Sequence, residues 1–144
     1  MADVYKQTEF EIPNLHKALN VACYFIMTPL SENIYYLDNK LIDKIQNEFI
    51  LIAEKGWYEL HQNKNDKSFW RLDKFDKLQQ QCFVKLSSND NWENFNDKDF
   101  RIELLAKSRG LSDKNCIWKN CNDQSLNELV FCSRHAYEEM GIRK

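Results

Sequence analysis

Glycine and proline are scarce, with three and two residues in a chain of 144. So little punctuation argues against a many-turned β-sandwich and favours helices. An excess of one charge is also missing: 20 basic residues stand against 22 acidic ones, a formal charge of −2. That balance lacks the basic surplus of tight non-specific nucleic-acid binders, and it is not acidic enough to propose a nucleic-acid mimic. The opening MADVYKQTEFEIP has no basic start leading into an apolar stretch, which speaks against a secretory leader. The longest apolar run, Val21–Met27, is far too short to cross a bilayer. A soluble, cytoplasmic protein is expected. Catalytic signatures are missing as well. No glycine-rich phosphate loop and no HExxH occurs, and neither His16 nor His61 has a Ser, Cys or carboxylate at nucleophile–base spacing. The chain is not expected to be an enzyme.

What is present is the composition of a folded domain, 43% apolar and 13% aromatic, in a length that can bury a real core. Pro13 and Asn14 open a helical pattern with Leu15, Ala18, Leu19, Ala22, Cys23 and Ile26 on one face, and Thr28-Pro29 closes it. Asp38 is a good N-cap and Gly56 a good stop for a second helix, with Leu41, Ile42, Ile45, Phe49, Ile52 and Ala53 inward. Two aromatic-rich runs, 57–61 and 68–72, flank a polar stretch and read as a β-hairpin. A third helix is predicted from Asp73 to Leu86, burying Phe75, Leu78, Cys82, Phe83 and Leu86. Residues 87–97 read as a loop pinned by Trp92 and Phe95, and 98–109 as a fourth helix ending at Gly110. The order helix, helix, hairpin, helix, helix has the outline of a winged-helix domain. The expected fold is therefore α+β and mainly helical: about four helices, one hairpin at about 57–72, and a C-terminal zinc knuckle. Residues 1–110 would form the helical domain and 111–144 a zinc-binding module packed on it.

That module rests on the strongest pattern in the chain. Cys116, Cys121, Cys132 and His135 form C-x4-C-x10-C-x2-H. Zinc takes four soft or borderline donors in a tetrahedron, and two short-spaced pairs joined by a spacer supply them from two turns. A reducing compartment favours ligation over disulfides, and a Cys116–Cys121 disulfide would strand Cys132 and His135. Metal-free buried cysteines are common in cores, but three beside a histidine at pair spacing make a poor coincidence. Four protein ligands leave no open position for water, so a structural Zn2+ is expected rather than a catalytic one. Leu126, Leu129 and Val130 are placed to cover one side of the ion, and Trp118 and Phe131 the other.

The stretch Cys-x-Trp…Cys…Phe-Cys-x-x-His-Ala-Tyr over residues 116–137 resembles the small treble-clef-like zinc knuckles appended to short bacterial and phage proteins. Some of those are DNA-associated regulators, similar to the GcrA type of cell-cycle regulator. The resemblance implies a zinc module and no particular target. The residues themselves suggest two kinds of partner. Trp92 and Phe95, alone among Asn, Asp and Glu, are candidate anchors for a protein partner. The basic stretch with Lys107, Arg109, Lys114 and Lys119, beside a Leu-Ala-Lys-Ser-Arg-Gly turn, is the alternative, a DNA- or RNA-binding face. The plainer reading of Gly110 is a helix stop, because Cys116 falls inside the would-be recognition helix 113–120. The expected role is that of a non-catalytic, zinc-stabilised regulator or inhibitor acting through protein–protein contacts.

Overall fold

Strands, not helices, organise the chain. The computed structural model describes residues 28–144, and among these residues seven strands stand against three α-helices. The helix expected between Pro13 and Ile26 lies outside the described residues. Glu32–Lys144 form one compact unit. Within it, β1 (Ile34–Tyr36), β2 (Phe49–Lys55), β3 (Tyr58–Asn63), β4 (Phe69–Asp73) and β5 (Cys82–Lys85) form an antiparallel sheet in the order β1-β5-β4-β3-β2. The expectation of a mainly helical, winged-helix-like outline is therefore overturned.

Two stretches account for the correction. Helix α1 (Asn39–Glu48) starts as expected, with Asp38 Oδ1 accepting from the Leu41 N–H at 2.8 Å. It stops eight residues before Gly56. Phe49 turns to extended backbone (φ −121, ψ 156) while its N–H still donates to Ile45 O. Leu41, Ile45 and Phe49 are buried, but Ile52 is 47% exposed. The run Phe-Ile-Leu-Ile favours a pleated surface, and from Phe49↔Asn63 to Lys55↔Tyr58 it pairs with β3, with a bulge between Leu51 and Ala53.

The third expected helix is a connection, residues 74–81, followed by β5. Phe75 and Leu78, expected inward, are 73% and 90% exposed. Cys82, Phe83 and Leu86 are buried as expected. Phe83 sits opposite Tyr35 on one side and Leu72 on the other, so a helix here would leave β1 and β4 without their shared partner.

The hairpin is where it was expected, pairing Tyr58↔Asp73 through Gln62↔Phe69. Strand alternation gives the sheet two apolar faces. On one, Trp70 stacks on Phe83 (4.9 Å) and Phe49 meets Phe83 edge-on (5.1 Å). On the other, Ile34, Leu60, Cys82, Val84 and Leu86 take Trp92 from a single 3-10 turn (Trp92–Asn94), Phe95 from the residue after it, and Phe100 and Leu104 from α2 (Lys98–Arg109). Beyond α2 lie a ribbon of β6 (Leu111–Asn115) and β7 (Gln124–Leu126) and the short helix α3 (Ser133–Glu138). Leu105 of α2 closes a second small core with Leu126 and Ala136, all three at 0% exposure. Among the described residues no helix is long and apolar enough to cross a membrane.

Candidate metal centre

Helix α2 ends at the residue expected to stop it. Gly110 has φ 76, and its N–H donates to Ala106 O at 2.9 Å. A Cβ there would lie 2.8 Å from Asn127 Nδ2, which itself donates to Arg109 O at 3.0 Å. Strand β6 begins at the next residue, so residues 113–120 form no recognition helix and the helix-turn-helix outline is absent there.

The β6–β7 connection carries the first two donors. The Cys116 N–H donates to Asp123 O (2.8 Å) and the Cys121 N–H to Trp118 O (3.0 Å). Asn120 takes the left-handed conformation (φ 62) that so tight a turn requires. The other two donors belong to α3. Cys132 is its N-cap, and one helical turn brings His135 to the same side, with the Ala136 N–H donating to Cys132 O at 2.8 Å. A residue spacing of three is what places both on one face.

The four donors converge so that all ligand atoms lie within 4.8 Å of one another. A zinc tetrahedron with Zn–S of ~2.3 Å and Zn–N of ~2.05 Å implies edges of about 3.8 Å between sulfurs and about 3.5 Å from sulfur to nitrogen. Cys121 Sγ to Cys132 Sγ is 3.9 Å. His135 Nδ1 stands 3.5 Å from Cys116 Sγ and 3.2 Å from Cys132 Sγ. Cys116, Cys121 and Cys132 are all free thiols, so neither the disulfide reading nor an unrelated surface histidine describes this cluster. The donor set can hold a metal ion.

The electrostatics agree. Burial opposes ionisation of Cys116, but the backbone N–H groups of Cys132 and Trp118, with the His135 ring, lower its pKa below the usual thiol value. Burial raises that of Cys132, and the neighbouring Cys116 and Cys121 thiols raise it further. A central cation would favour the thiolate form of the cysteines around it. The expected cover is only partial, since Trp118 is 39% exposed. Trp118 stacks on His135 at 4.9 Å and meets Phe131 edge-on at 6.2 Å. Leu126 is buried and Leu129 packs on the small core, whereas Val130 is 52% exposed.

The remaining candidates do not form a site together. Trp92 and Phe95 are half-buried against the sheet. Lys107 pairs with Glu32 (3.1 Å), and Arg109 Nη2 donates to Lys144 O (2.5 Å). Lys114 and Lys119 are exposed on the module.

One assembly was not legible from the sequence. Arg71, 2% exposed, donates through Nη1 to the carbonyls of Trp92, Glu93 and Phe95 and through Nη2 to Asp97 (2.8 Å). Arg101 holds Asp97 through Nε and both oxygens of Asp73 through Nη2. Asp73 also accepts from the Cys82 N–H. Asp73, Asp97 and Arg101 of this network floor a cleft of about 420 Å³ whose walls include Trp57, Tyr58, Gln79, Tyr137 and Arg143. Only Asp97 and Arg101, one helical turn apart, leave a local trace. Asp73 lies 28 residues from Arg101, beyond any spacing rule.

No family model matches the chain, and no curated protein or solved structure matches it either.

Proposed function

We propose that Cys116, Cys121, Cys132 and His135 form a structural zinc site, and that the chain is a non-catalytic binding protein. It acts as a small regulator or inhibitor of bacterial or phage type through protein–protein contacts. The observation that carries the metal reading is the closed donor set: four side chains whose ligand atoms all lie within 4.8 Å of one another, with no ligand position left for a reacting water. Three thiolates with one imidazole suit zinc better than an iron–sulfur cluster, whose ligands are mostly cysteine. The support for protein contacts is apolar surface. Trp57, Phe75 and Leu78 are 68%, 73% and 90% exposed, and the Lys74 N–H donates to Trp57 O at 2.8 Å, which joins their two connections. Exposed apolar side chains of this size are enriched at interaction surfaces.

A nucleic-acid role for 107–119 has less support, because Lys107 and Arg109 are already engaged within the chain. Two measurements test the reading. Metal analysis of protein purified without added zinc should find about one zinc per chain and none in Cys132→Ala. Affinity capture from bacterial lysate should retain protein whose binding survives raised salt. Recovery of nucleic acid alone, released steeply by salt, would overturn it.

A further inference from the structure

We propose that the cleft beside Arg101 is the partner-binding surface, and that it takes a peptide segment presenting a carboxylate next to a bulky apolar side chain. The proposal rests on the protein-contact reading and says where that contact is made.

The cleft draws on both parts of the compact unit. The sheet and its connections supply Trp57, Tyr58, Asp73 and Gln79, while the metal module supplies Tyr137 and Arg143. Its volume of about 420 Å³ is within the range of sites that enclose a small ligand. The floor offers no net charge, since Asp73 and Asp97 are matched by Arg71 and Arg101. Lys74 at the edge pairs with Glu54; Asp76 Oδ1 accepts from the Leu78 N–H and keeps its negative charge at the edge. Arg143 is different. Among the described residues it has no carboxylate partner, yet it is held in place. Its Nη1 donates to Tyr137 O at 2.6 Å, its guanidinium carbon lies 3.9 Å from the centre of the Tyr137 ring, and its own carbonyl accepts from Tyr36 Oη at 2.9 Å. A fixed guanidinium without an acid is preorganised to pair with one. Around it, the Tyr58 and Tyr137 hydroxyls and the Gln79 amide suit the donors and acceptors of a peptide backbone. The exposed ring of Trp57 in the cleft wall suits a large apolar residue beside the acid.

The test is to pan randomised heptapeptides on phage against the zinc-loaded full chain, synthesise those enriched and titrate them calorimetrically. Enriched peptides should share an acidic residue adjacent to Leu, Phe or Trp. Replacing that acid by its amide should weaken binding at least tenfold, as should Arg143→Ala with its zinc content unchanged. Trp57→Ala, a change at an exposed side chain, should weaken it several-fold without affecting the fold. Chelation should abolish binding, because Tyr137 and Arg143 follow the helix that carries His135. Enriched peptides without an acid, or equal binding to Arg143→Ala and Trp57→Ala, would overturn the cleft and leave the protein-contact reading to another face. So would no enrichment at all, or a single-stranded oligonucleotide that displaces every peptide.

Discussion

The sheet and the metal module are neighbours in one compact unit, held together by different means. The sheet is stabilised by area. Trp70, Phe83, Val84 and Leu60 are nearly or fully buried, and a large aromatic side chain removes much apolar surface from water. The module has only Leu126 and Ala136 fully buried among its apolar side chains, and they pack against Leu105, borrowed from α2. So little burial does not offset the chain entropy of ordering that segment. On the zinc reading proposed above, a bound ion would take the place of a core in the module; in the sheet no such help is needed.

The contrast can be tested directly. The largest effect should come from chelation of the metal or from Cys132→Ala. A structural zinc contributes on the order of 10–16 kcal/mol in small metal-folded segments, so the module should lose its order while the sheet keeps it. Alkylation mapped by mass spectrometry checks this at mildly alkaline pH. Cys116, Cys121 and Cys132 should become reactive, but Cys82 should not, because burial pushes its thiol up to about 12 and keeps it protonated there. Reactive Cys82 after chelation would mean the two regions unfold as one.

Trp70→Ala removes a side chain only 2% exposed and should cost about 3–5 kcal/mol in urea unfolding. Metal stoichiometry of the folded fraction should stay near one, and a loss of metal at equal folded fraction would break the contrast from the other side. Gly110→Ala acts at the joint. With φ 76 and ψ 160 the residue lies in a region open almost only to glycine, and the substitution should cost about 1–3 kcal/mol. Its signature would be weakened metal retention, since Asn127 must move. The smallest change is expected for Ile117→Ser, a residue 67% exposed on the metal turn. It should alter stability by no more than about 0.5 kcal/mol in the same urea assay.

Features written within one turn or one motif were legible in the sequence. The C-x4-C-x10-C-x2-H donors, the Asp38 cap, the hairpin and the Gly110 stop all depend on residues a few positions apart. Strands β2 and β5 were hidden because their first apolar residues continue a helical spacing from the segment before: Phe49 stands four after Ile45 of α1, and Cys82 four after Leu78 of the connection. What makes them strands is the pairing of Phe49 with Asn63 and of Phe83 with Tyr35, which no local pattern encodes. The cleft was invisible for the same reason. Its walls come from four separate stretches, and Arg143 is marked by the acid it lacks.

The junction between α1 and β2 limits how the chain tolerates change in length. Phe49 ends the helix and begins the strand with no residue between them. One inserted residue would rotate everything downstream by about 100° relative to the helix, and one inserted inside the strand would reverse its two faces. No connecting residue exists at the junction to absorb the first, and the strand already takes up one extra residue at its Leu51–Ala53 bulge. Chains that share this architecture should therefore conserve the number of residues from Leu41 to Leu60 and confine insertions and deletions to the 64–68 turn and the 74–81 connection.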